Sequence, residues 1–173
     1  GIYAIANKIP NVCASVFGMF NISWQESASE VVNEKNRNEY FNIIYNNTIV
    51  TLLSLCTGVL SLNWFVFEFL FDHRYESARL YMPILVVAII FNSLSQFYGG
   101  IMISLKKPKA NGFTTMMGAV VNIIVHFGLI FFIGLYAAAI STVISNMALC
   151  VFRKINLRKV VVCKIERKTL LYS

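Results

Sequence analysis

Charge is scarce in this sequence, and its scarcity is the first constraint. Charged residues are 13% of the 173 positions and hydrophobic residues 57%, whereas a soluble domain carries about twice that charged share. A water-soluble surface is therefore excluded as the general plan. Acidic groups are scarcer still, with eight Asp and Glu against fifteen Lys and Arg. No paired carboxylates, HExxH helix, GxSxG elbow or P-loop occurs, and the three prolines and nine glycines build no phosphate-cradling loop. We expect no enzyme, no metal site and no cofactor. Cys13, Cys56, Cys150 and Cys163 are scattered, without metal or redox spacing. Three of them fall in apolar stretches, where cysteine is a small packing residue. The sequons at Asn21 and Asn46 lie in or beside apolar spans, which argues against glycosylation. The net charge of +7 does not imply nucleic-acid binding, because the basic residues sit in loops and at the C-terminal end, where membrane topology accounts for them.

Long hydrophobic runs are what the chain has in abundance. Apolar stretches of membrane-spanning length recur, so the expected fold is all-α, a polytopic transmembrane helix bundle of about five spans. They cover about 2–27, 41–62, 80–105, 112–133 and 135–152. A polar loop from Val32 to Tyr40 follows the first span. An aromatic connector, Asn63 to Arg79, carries Trp64 and Tyr75 beside Asp72, His73 and Arg74 and is expected along the membrane surface. Residues 154–173 form a basic tail. Lys35 and Arg37, Lys106, Lys107 and Lys109, and seven basic residues from Arg153 onward fall on one side of this topology, against Arg74 and Arg79 on the other. By the positive-inside rule the loops with Lys35, Lys106 and Arg153 are cytoplasmic. A start without Met inside a helical pattern, and an odd number of spans, suggest a piece of a longer bundle.

The first span carries the most chemistry. At about 100° per residue, Asn7, Asn11, Gly18, Asn21 and Gln25 fall in one narrow arc, flanked by Lys8, Ser15 and Glu26, with Val12, Cys13, Val16, Phe20 and Trp24 opposite. Lipid satisfies neither amides nor a charge, so this arc is expected to face a protein interior or a wet cavity. Lys8 sits about two turns into the span, beside two amides and close to Pro10, which cannot donate to the Ala6 carbonyl. Its stem would either snorkel to the interface or present a cation to an anionic ligand. Glu26 lies about 27 Å further along the same line, too far to pair with Lys8.

The other spans are less specific. Asn47, Thr51, Ser54, Gly58 and Ser61 repeat along the second, a pattern that suits either close helix contacts or cavity lining. Asn92 and Gln96 in the third span, with Ser141, Ser145, Thr142 and Asn146 in the fifth, read as interhelical hydrogen bonds. In the fourth, Asn122 and His126 share a face one turn beyond Gly118. A histidine at that depth either titrates or bonds a neighbouring helix.

Two segments carry a resemblance. YAIANKIP at Tyr3–Pro10 and FNISWQESASE at Phe20–Glu30 resemble the seventh-helix signature of Wzx-type polysaccharide flippases, MOP-superfamily relatives of the MATE exporters. Tyr75, Ala78, Tyr81, Pro83 and Leu85, the KKPK turn, Asn122 and GLYAAAIST at Gly134–Thr142 are similar to that family's C-terminal half. Ala137 replaces an expected second glycine, and the N-terminal lobe is missing. The resemblance implies one lobe of a two-lobed transporter in a bacterial plasma (inner) membrane. It would flip undecaprenyl-pyrophosphate-linked oligosaccharide by alternating access, with the missing lobe, the bilayer and a polysaccharide polymerase as partners. It also implies roles. Lys8 would attract pyrophosphate, while Asn7, Asn11, Asn21 and Gln25 would bond sugar hydroxyls. Glu26, His126 and Asn122 are candidates for coupling to a proton or sodium gradient. The alternatives are a MATE-like exporter of small amphipathic compounds and a non-transporting scaffold of a polysaccharide assembly complex.

Overall fold

A chain in hydrocarbon must satisfy its own backbone hydrogen bonds, and a helix does so within one segment. The computed structural model describes residues 4, 6–70 and 79–158. Over these residues the chain is helical, with no strand: α1 (Lys8–Val31), α2 (Arg37–Leu70), α3 (Met82–Ser104), α4 (Pro108–Ile133) and α5 (Tyr136–Leu157). Four helices are long and apolar enough to cross a membrane, namely the Arg37–Phe65 part of α2 together with α3, α4 and α5. The protein is a membrane-embedded helical bundle. The expected first span differs from the other four. The 24 residues of α1 reach about 36 Å, enough to span, but its polar stripe dilutes its apolarity below theirs.

α3 is the centre of the bundle. It is buried at intervals from Met82 to Ser104 and packs against α5, α1 and α2. α4 lies on the outside of α5, burying only Thr114 and Gly118. It is the most apolar helix and also the most exposed, with Phe131 and Phe132 at 87% and 84%. That inverts the rule for soluble proteins, because here the surrounding solvent is lipid.

At one end of α3 an aromatic cluster joins α1, α2 and α3. Trp24 stacks on Phe97 with ring centroids 4.7 Å apart and meets Phe41 edge-on at 6.4 Å. Tyr45 packs on Phe97 and Tyr98. Lipid tails are as apolar as these rings, so the cluster holds by close packing rather than by transfer from water. At the other end Met82, Leu85 and Val86 pack with Cys56 and Ala139.

Two turns set the helix directions. After Ser104, Lys106 N–H bonds Ile103 O and Lys107 N–H bonds Met102 O, both at 2.8 Å. This is a Schellman cap whose left-handed position, normally glycine, is Lys106 at φ 57°. Pro108 then opens α4, where a missing N–H is no loss. Gly134 ends α4 at φ 54° and ψ −126°, a region that essentially only glycine enters.

Several expected boundaries move. α2 does not end near Leu62 but runs on through Leu70, taking in the first half of the expected surface connector. The stretch from Asn63 to Leu70 contains neither Gly nor Pro, and nothing in it stops a helix. α5 likewise continues past Phe152 to Leu157, so Arg153 is not a loop residue. The expectations for residues 1–3, Asp72, His73, Arg74, Tyr75, Ala78, Cys163 and the tail beyond Arg158 lie outside the described residues.

Candidate functional site

α1 begins at Lys8, with Asn7 in the capping position. Pro10 therefore falls in the first turn, where its lack of a donor costs nothing, and it is buried against the bundle. The buried line of α1 is Pro10, Phe17, Trp24 and Ala28, and Ala6, just ahead of the helix, is buried as well. This line lies beside the polar arc rather than opposite it, and Trp24, expected on the far face, belongs to the core. The polar arc thus runs along the seam between the packed face and the exposed face, which carries Val12, Val16 and Met19.

The seam opens into a recess of about 90 Å³ between α1, α3 and α5. Its polar lining is Asn7 and Asn11 from α1 and its cap, Asn92 from α3, and Thr142 and Asn146 from α5; Pro10, Ala14, Leu85, Ala88 and Ile89 complete it. Such a volume takes several water molecules or one small polar moiety. Asn146 Nδ2 donates to Ala88 O at 3.2 Å, and Thr142 Oγ1 donates to Ala138 O at 2.7 Å, which fixes both. The Asn11 and Asn92 side chains bond nothing within the described bundle and are left to face the recess. Four amides and a hydroxyl with no carboxylate among them make a neutral donor–acceptor lining, suited to hydroxyls and amides rather than to a cation.

No family model, curated protein or solved structure matches this chain.

The remaining sequence candidates are not gathered into the recess. Asn21, further along α1, accepts a hydrogen bond from Trp24 Nε1 at 2.9 Å. Gln25 is half-buried, and its backbone carbonyl accepts from Ser104 Oγ at 3.4 Å. Lys8 and Glu26 are exposed on the flank of α1. Asn122 Nδ2 donates to Ser145 Oγ at 3.1 Å, tying α4 to α5, with Gly118 one turn away accommodating Leu149. His126 is half-buried and lies edge-on to Phe127. In α2 the residues Asn47, Thr51, Ser54, Gly58 and Ser61 are all exposed. They make no close helix contact among the described residues, and Thr51, Ser54 and Gly58 line an open groove of about 550 Å³.

Arg153 is the main residue that the sequence did not single out. It is 6% exposed and is held by neutral groups on two other helices. Nη1 donates to Ser95 O at 2.6 Å, Nη2 to Thr115 Oγ1 at 2.9 Å and Nε to Thr114 Oγ1 at 3.4 Å. Gly99 gives it room, since a Cβ there would lie 2.8 Å from Nη1. One signal was available: Ala137, Ser141, Ser145, Arg153 and Leu157 recur at intervals of four or eight along one face of α5, and all are buried.

Proposed function

We propose that this chain is a helical lobe of a Wzx-type flippase, which moves an undecaprenyl-pyrophosphate-linked oligosaccharide across a bacterial plasma membrane. The observation that carries this is the neutral amide recess between α1, α3 and α5. Carboxamides donate and accept in one plane, as sugar hydroxyls and N-acetyl groups require. The lipid tail would stay in the bilayer while the sugars pass along the amide seam. Lys8, the residue after Asn7, is exposed about a quarter-turn round the helix. It would attract the pyrophosphate as it passes. Alternating access would rock this lobe against a second one about the recess.

Orientation follows from the exposed cations. Lys35, Lys106, Lys107, Lys109, Lys154 and Arg158 stand at one end of the bundle, which the positive-inside rule would place in the cytoplasm. Arg153 leaves that tally because it is buried, and the bias survives without it. A MATE-like exporter of cations fits less well, since no carboxylate lines the recess and Glu26 stands apart from it.

The test is surface polysaccharide display by cells whose only copy of the protein carries Asn11→Ala with Asn92→Ala, or Lys8→Ala, with membrane level followed by immunoblot. Neither amide holds the bundle together, so abundance should be unchanged while display falls severalfold. Normal display at normal abundance in both variants would refute the proposal.

A further inference from the structure

The turns at the basic end of the bundle are not charged alike. Lys35 and Arg37, in and after the turn before α2, stand among Glu34 and Glu39. The α3–α4 turn has no such neighbours, because from Arg79 through Arg158 the chain contains no Asp or Glu. Lys106, Lys107 and Lys109 are all exposed, and their side chains bond nothing within the described bundle.

The backbone adds to this positive pole. Lys107 caps α4 without a side-chain bond, and no acidic residue lies in the first turn. The first hydrogen bond of the helix runs from Asn111 N–H to Lys107 O at 3.2 Å. The N–H groups of Lys109 and Ala110 therefore have no acceptor within α4, and the positive end of its dipole coincides with three lysines. Lysine also holds a position that favours glycine. Among the described residues Lys106 is the one non-glycine at positive φ. A Cβ is unfavourable there and adds nothing to the cap, so the retained strain points to a use for the side chain.

Below the pole lies a face that the bundle leaves uncovered. Lys109, Phe113, Met116, Val120, Phe127 and Phe131 recur at intervals of three, four or seven along α4, and all are exposed. α4 lies on the outside of α5, whereas the amide recess is between α1, α3 and α5. A phospholipid with a net negative headgroup matches both parts, its phosphodiester at the turn and an acyl chain along the stripe. A soluble anion would leave the stripe unused. A zwitterionic headgroup would bring its own ammonium to a turn with no carboxylate to receive it.

We infer that the Lys106–Lys109 turn and the outer face of α4 form a binding site for an anionic phospholipid of the leaflet at that end of the bundle. The inference stands on this turn and this face and does not depend on what the protein transports.

α4 contains no tryptophan, and Phe113→Trp places an indole on the stripe one turn from Lys109. The full chain carrying Phe113→Trp with Trp64→Phe is reconstituted in vesicles of phosphatidylcholine and phosphatidylglycerol, with bromine on the acyl chains of one lipid or the other. Trp24 is 5% exposed and sheltered from the chains, and the protein with Trp64→Phe alone supplies its background. Quenching at position 113 should show phosphatidylglycerol favoured about fivefold or more. Lys106→Gln, Lys107→Gln and Lys109→Gln together should bring that ratio to about one. Phe131→Trp in place of Phe113→Trp, about 27 Å along the same face, should show no preference, since it meets the other leaflet. Equal quenching by the two lipids at position 113, a preference that survives the triple substitution, or the same preference at both positions would overturn the inference. So would quenching by neither lipid at position 113, which would show that protein covers the face.

Discussion

Adding one methyl group at Gly99 should destabilise the bundle, although the same change at Gly58 stabilises it. Both glycines lie inside helices, where Gly→Ala gains about 1 kcal/mol from backbone propensity. At Gly58 a Cβ meets nothing within 4 Å, so that gain is kept. At Gly99 it would stand 2.8 Å from Arg153 Nη1, 3.1 Å from Cζ and 3.0 Å from Asn111 Oδ1. An arginine tip usually gives way, but this one is pinned on α3 and α4 by Ser95 O, Thr114 and Thr115. Either the guanidinium shifts and loses a charge-assisted hydrogen bond, at about 1.5–3 kcal/mol, or the helices part, at about 1–3 kcal/mol of overpacking. Set against the propensity gain, Gly99→Ala should cost about 0.5–2 kcal/mol. It should therefore fall about 1.5–3 kcal/mol below Gly58→Ala. Reversible unfolding by SDS in mixed micelles, followed by helical circular dichroism, measures both. In an Arg153→Ala background the two guanidinium contacts are gone, only the amide tip of Asn111 has to give by a few tenths of an ångström, and Gly99→Ala should recover most of its gain. The reasoning fails if Gly99→Ala is as stable as Gly58→Ala, or if its penalty persists without Arg153.

Lys106→Gly should stabilise by about 1 kcal/mol, because glycine fills the left-handed position of the Schellman cap without a Cβ penalty. The same micelle titration checks it, and an unchanged or lower midpoint would show that the Lys106 side chain makes a compensating contact. Asn122→Ala should cost about 0.6–1 kcal/mol by removing the bond to Ser145 between α4 and α5. A loss above about 3 kcal/mol, outside the range of such bonds in membranes, would contradict an ordinary interhelical role.

The sequence by itself determined that the chain is helical and membrane-embedded, because runs of 20 or so apolar residues have no other way to satisfy their backbones in lipid. It marked the turn at Gly134 and the Lys106–Pro108 turn through residues with particular φ demands. It also placed Asn7 and Asn11 on one arc of α1, since that follows from helical period alone. What it left open depended on which helix lies against which. Periodicity orients residues within one helix but says nothing about the angle at which a neighbour packs. Trp24 therefore seemed to face away from the protein, although α3 brings Phe97 against it. Asn92, Thr142 and Asn146 read as isolated packing amides and hydroxyls until α3 and α5 set them beside Asn7 and Asn11. Arg153 was counted among tail cations because charge at the end of an apolar run usually meets water. Only the close approach allowed by Gly99, with carbonyl and hydroxyl partners from α3 and α4, lets that charge be buried.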